Sequence, residues 1–152
     1  MTMRVAIETI DQPDGLALVR ELDAHLEPLY PPESRHGLNV QALRAKNVFF
    51  VIARDEANRA CGCGAVMFCD GYAELKRMYV RPGQRKRGVG AAIIGFLEEY
   101  AASHGHGIVR LETGTKQLDA LSFYEGAGYA RREPFGAYRP DPLSIFMEKR
   151  LA

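Results

Sequence analysis

"RPGQRKRGVG", residues 81–90, places Arg85, Lys86 and Arg87 side by side and follows them at once with Gly88 and Gly90. Adjacent cations repel, and two glycines weaken the start of a helix, so the stretch calls for a compensating anion. Its flanks say how one could be held. The preceding ELKRMYV reads as a strand, and from Gly88 onward Val89, Ile93, Leu97, Tyr100 and Ala101 recur at helical spacing. A strand, a short glycine-containing loop and a helix start form an anion site by construction. The first helical amides have no partner, the helix dipole adds positive charge, and glycine lets a phosphate approach the backbone. A nucleotide-like pyrophosphate is the expected occupant.

Outward from this loop the chain alternates elements. RVAIETI (4–10) reads as a strand, and Asp14 is placed to cap a helix over LALVRELDAHLEPL (16–29) that Pro31–Pro32 ends. A short helix is expected over NVQALRAK (39–46), and the apolar run NVFFVIAR (47–54) has the length of a strand buried on both faces. DEANR leads into ACGCGAVMFCD, and Asp70–Gly71 reads as a hairpin turn into YAELKRMYV. IVRLET (108–113) is a strand, QLDALSFYEGAG (117–128) a helix closed by Gly126 or Gly128, and LSIFMEKRL (143–151) a last strand. The pattern is that of a mixed α/β (α+β) layered domain.

Composition narrows the function classes. The chain has 152 residues, enough for one domain with a sizeable core, and 20 Lys plus Arg against 19 Asp plus Glu. So small a net charge gives no global field for nucleic acid or membrane, and RKR has neither a wider basic face nor interleaved aromatics. No apolar run reaches membrane-spanning length and no signal peptide is visible. With three cysteines and no secretory signal, a reducing cytoplasm is expected. Cys61, Cys63 and Cys69 lie at even offsets, which in a regular strand places them on one face. Cys69 would then stand about 20 Å from Cys63, too far for joint ligation, so no metal is expected.

The glycine loop is not a P-loop, which needs GxxxxGK followed by Ser or Thr, and after Gly90 the AAII run lacks the third glycine of a dinucleotide fingerprint. It does match R-x-x-G-x-G, as Arg85 to Gly90 after MYVRPGQ. In LETGTKQLDALSFYEGAGY (111–129), Ala120, Tyr124, Gly128 and Tyr129 match A-x-x-x-Y-x-x-x-G-[FY]. With these two motifs one helix and one strand apart, the chain resembles the GNAT superfamily of acetyl-CoA-dependent N-acetyltransferases over about residues 48–151. PPESRHGL and EPFGAYRPDPLSIFMEKRL further resemble a subgroup of small bacterial members.

The resemblance implies a single domain over 1–152, with 1–47 a divergent acceptor-side part and 48–151 the coenzyme-binding core. Its mixed sheet would have six or seven strands, splay between the fourth and fifth, and carry helices on both faces. The co-substrate would be acetyl-CoA, with no metal, and the partner a small-molecule or protein amine, with homodimers common in the family. The backbones of Met78, Tyr79 and Val80 would pair with pantetheine, and Arg85, Lys86, Arg87, Gly88, Val89, Gly90 and Ala91 would hold the phosphates. Tyr124 stands at the family's tyrosine position, from which a phenol can protonate the departing thiolate. Glu74 matches the position of a general base used by some members, and a surface cross-strand partner is the plainer reading of the same residue. Regular alternation puts Glu74, Lys76, Met78 and Val80 on one strand face. Glu33, Ser34, Arg35 and His36, with Tyr138, Asp141 and Ser144 in the late loop, would line the acceptor side. The alternative from another class is a non-catalytic acyl-CoA-binding module, which would keep the loop but need neither Glu74 nor Tyr124.

Overall fold

The computed structural model describes residues 3–35 and 39–151; His36 lies outside the described residues. Seven strands, β1 (Arg4–Ile7), β2 (Val48–Arg54), β3 (Ala60–Cys69), β4 (Tyr72–Val80), β5 (Ile108–Gly114), β6 (Ala130–Arg132) and β7 (Ser144–Arg150), form one sheet in the order β1-β2-β3-β4-β5-β7-β6. Every neighbouring pair is antiparallel except β4 and β5. Helix α1 (Pro13–Leu26) packs through Leu18 and Val19 with Phe50, Ile52, Cys63 and Ala65 on one face. On the other face, α2 (Val89–Ser103) and α3 (Leu118–Gly126) pack through Ile93, Leu97, Leu121 and Tyr124 with Val51, Val66, Leu75, Val109 and Leu111. The expected mixed sheet with helices on both faces is therefore the observed one. No described helix is long and apolar enough to cross a membrane.

Local departures have physical causes. Asp14 caps nothing: α1 starts at Pro13 after Gln12, and Asp14 accepts instead from the buried Arg54 at 2.8 Å. A proline at the first helical position needs no cap partner of its own. The helix expected over 39–46 shrinks to a single 3-10 turn, Ala42–Arg44, whose Ala42 N–H donates to Asn39 Oδ1 at 2.8 Å. Three residues, Ala130–Arg132, form a strand too short for periodicity to show. The hairpin at Asp70–Gly71 is present, with Gly71 at φ +86°.

Two β-bulges overturn the expected strand faces. Against β3, the pairs Lys76↔Ala65 and Tyr79↔Cys63 use three steps on β4 for two on β3. The extra residue lies at Arg77, which has φ +56°, and it reverses the alternation beyond it. Tyr79, not Met78 or Val80, thus joins Glu74 and Lys76 on the α1 face; Met78 and Val80 turn to the α2 face. The second irregularity, opposite Ala53 and Arg54, sends Cys61 to the α2 core while Cys63 packs on the α1 side. The cysteines therefore do not share a face. Burial pushes the Cys63 thiol up to about 12.

Candidate active site

Strands β4 and β5 are hydrogen-bonded only at Ala73↔Val109 and Glu74↔Arg110, then diverge. Past that point β4 keeps β3 on its outer edge and β5 keeps β7, so the two inner edges face each other across a wedge. A cavity of about 490 Å³ fills it. Its lining includes Leu22 and Leu26 of α1 and Tyr124 of α3, helices on opposite faces, so the cavity runs into the gap between the strands.

The loop after β4 has the geometry its sequence calls for. Gly88 takes φ +80° and supplies no side-chain cap; the first helical bond runs from Ala92 N–H to the Gly88 carbonyl at 3.0 Å. The amides of Val89, Gly90 and Ala91 are left without a helical acceptor. Arg85, Lys86 and Arg87 are exposed around them, and Lys86 also has positive φ. Arg85 Nε donates to the Val80 carbonyl at 3.1 Å, so that side chain turns back onto the strand. Gly90 has a further reason to be glycine: an added Cβ would sit 3.2 Å from the Phe123 ring.

Tyr124 is 8% exposed, lines the cavity, and its hydroxyl has no hydrogen-bond partner among the described residues. Burial, with Glu112 as a smaller contributor, raises its proton affinity above that of an ordinary phenol. Packing does not account for the whole helix face, because Leu118 is 71% exposed.

Glu74 is 2% exposed and does not reach the cavity wall. Its Oε2 lies 2.8 Å from Lys76 Nζ and accepts from Tyr138 Oη at 2.6 Å, and Lys76 Nζ donates to the same hydroxyl at 2.5 Å. It is thus neither a surface cross-strand residue nor an open carboxylate but the inner member of a buried trio. Lys76 and Tyr138 do line the cavity, and burial next to Glu74 raises the Tyr138 phenol. Among the described residues three carboxylates line the cavity: Asp23 and Glu27 at the α1 end, and Glu112 of β5, which accepts from Ser144 Oγ at 2.8 Å. Strand alternation in IVRLET sets Glu112 apart from its buried neighbours Leu111 and Thr113, but nothing in sequence brings it to Tyr124. Of the late-loop candidates, Asp141 closes its own turn, accepting from Leu143 N–H at 2.8 Å.

On the acceptor side the Pro32–Ser34 turn brings Ser34 and Arg35 to the cavity, while Glu33 is exposed and outside it. Tyr30 locks this segment to the end of β5: its hydroxyl accepts from Lys116 N–H at 3.0 Å and donates to Gln117 Oε1 at 3.4 Å. Gly114 is what lets it fit, since a Cβ there would lie 1.8 Å from Tyr30 Oη. Arg77 lines the cavity from the β4 bulge and is tied to α1 through Asp23 at 2.6 Å and the Val19 carbonyl at 3.3 Å. Among the described residues no group of three or more His, Cys, Asp or Glu side chains could hold a metal ion.

Among the described strands, the sheet opens between its one parallel pair, with an amide-lined helix start beside the opening. Residues 16–129 match the acetyltransferase (GNAT) family model. The chain is 40% identical over 149 residues to an "IAA acetyltransferase" of Azospirillum brasilense, covering 97% of each. A crystal structure from Klebsiella pneumoniae assigned as an acyl-CoA N-acyltransferase superposes with TM-score 0.84 at 33% identity, over 99% of this chain and 98% of that one. A PaiA N-acetyltransferase from Thermoplasma acidophilum, solved with coenzyme A, shares the fold at TM-score 0.77 and 18% identity, over 99% of each chain. The chain belongs to the GNAT family of acetyltransferases, and it is an acyltransferase.

Proposed function

We propose that the protein moves the acetyl group of acetyl-CoA to the amine nitrogen of a small molecule held in the same complex. The observation that carries this reading is the wedge cavity, lined by both Glu112 and Tyr124, whose hydroxyl has no hydrogen-bond partner among the described residues. The amides of Val89, Gly90 and Ala91 take the pyrophosphate, and the inner edge of β4 at Met78–Val80 pairs with pantetheine as a neighbouring strand would. This lays the thioester toward the cavity.

An ammonium has no lone pair, so it must lose a proton before it can attack. Glu112 is the better placed acceptor; Glu74 communicates with the cavity only through Tyr138 and Lys76. The free amine attacks the thioester carbonyl, whose developing charge a β4 amide near Met78 stabilises. The carbon–sulfur bond then breaks, and Tyr124 donates its proton to the leaving thiolate. Burial keeps the phenol protonated across neutral pH and raises the proton affinity of the desolvated thiolate for the same reason.

Release of free coenzyme thiol, followed with an amine panel, tests the scheme. Tyr124→Phe is expected to lower kcat by about 100-fold or more with acetyl-CoA affinity little changed. Equal rates in the two proteins would remove Tyr124 from the chemistry. IAA, in the name of the Azospirillum relative, belongs in the same panel.

A further inference from the structure

We infer that the acceptor carries a carboxylate next to its amine, so that the substrate class is a small amino acid. The inference rests on the N-acetyltransferase reading above and concerns the α1 end of the same cavity. Two arginines line that end, Arg77 from the β4 bulge and Arg35 from the loop after α1. Each has a buried Nε with no hydrogen-bond partner among the described residues.

Buried guanidinium nitrogens are paired as a rule, because desolvating one without a partner costs free energy. Here both residues line one cavity, with their Nε atoms buried behind it. Arg77 spends one terminal nitrogen on Asp23 and the Val19 carbonyl, and its side chain is only 5% exposed, so it is fixed in place. Arg35 makes no ion pair among the described residues. The guanidinium fork binds a carboxylate bidentately.

At the α1 end Asp23 is already committed to Arg77 and Glu27 also lines the cavity, while the opposite wall carries Glu112. Glu112 stands on β5, across the wedge from Arg77 on β4, and beside Tyr124, whose proton affinity it raises. An amine drawn to Glu112 sits at the thioester end, and a carboxylate drawn to Arg35 and Arg77 sits at the α1 end. A zwitterion satisfies both walls; a polyamine would leave Arg35 without an anion.

The experiment compares matched acceptors: alanine with ethylamine and phenylalanine with phenethylamine, each with acetyl-CoA, reading kcat/KM from thiol release. Acetyl-CoA affinity is measured in parallel by calorimetry. The amino acid of each pair is expected to be preferred by roughly 10- to 100-fold, the range of hydrogen bonds to a charged group. Arg35→Gln narrows that preference mainly through KM, and Arg35→Lys restores part of it. Arg35 is the chosen position because Arg77 also braces the bulge. Equal or better turnover of the carboxylate-free amines, or an undiminished preference in Arg35→Gln, overturns the inference and leaves the N-acetyltransferase reading standing. No thiol release with any amine, despite acetyl-CoA binding, overturns both.

Discussion

On the α2 side of the wedge the groups offered to a ligand belong to the backbone: the amides of Val89, Gly90 and Ala91 and the edge of β4. On the α1 side they belong to side chains drawn from four separate segments: Arg35, Arg77, Glu112 and Tyr138. A backbone site tolerates almost any side chain that leaves the φ/ψ values intact. A side-chain site fails when any member is replaced. The half proposed for the coenzyme therefore writes itself into a short contiguous motif, and the half proposed for the acceptor does not.

The comparison can be attacked first at Glu74. Glu74→Leu leaves Lys76 buried without its anion, and unfolding by urea should show a loss of about 3–5 kcal/mol. An unchanged midpoint would mean that buried charge does not support the acceptor half. Gly114→Ala comes next. Its Cβ cannot share space with Tyr30 Oη, so a loss of about 1–3 kcal/mol is expected. The acceptor KM should rise more than the acetyl-CoA dissociation constant; the reverse order would place Tyr30 on the coenzyme side.

In the coenzyme half, Gly88→Glu must hold a side chain at φ +80°, and calorimetry should show acetyl-CoA binding about tenfold weaker. Lys86→Ala, which alters only an exposed cation, should change it by less than about threefold in physiological salt. Comparable losses in both would show that side chains, not amides, do the binding. The smallest effect concerns pH. Arg54, Arg81 and Arg110 hold Glu8, Glu21 and Glu148 respectively below their ordinary value of 4.5. A carboxylate depressed in the folded chain contributes stability that is complete above its unfolded value and lost as pH falls through the folded one. The melting temperature should therefore be flat above about pH 5 and decline below 4.5, with a shallower decline in Glu21→Gln.

Much of the loop geometry in the half proposed for the coenzyme was legible because its physics is local. Three cations before two glycines, after a strand and before an amphipathic run, already specify an anion site. Tyr124 was legible through its spacing to Gly128 and Tyr129. The acceptor half was legible only as candidates. Arg35 and Tyr138 do reach the cavity and Glu33 does not, but no spacing rule joins residue 35 to residue 138. Glu112 was missed for the same reason, although strand alternation sets it apart from Leu111 and Thr113. Glu74 was read at the wrong depth. A strand taken as regular gives no warning that its fifth and sixth residues break step, since arginine is an unfavoured occupant of positive φ.

That break at Arg77 has a further consequence. Ahead of it, positions 74 and 76 face α1; beyond it, 78 and 80 face the α2 core. One strand thus holds two independently adjustable halves, so selection could rewrite the first for a new metabolite while the second stays as it is.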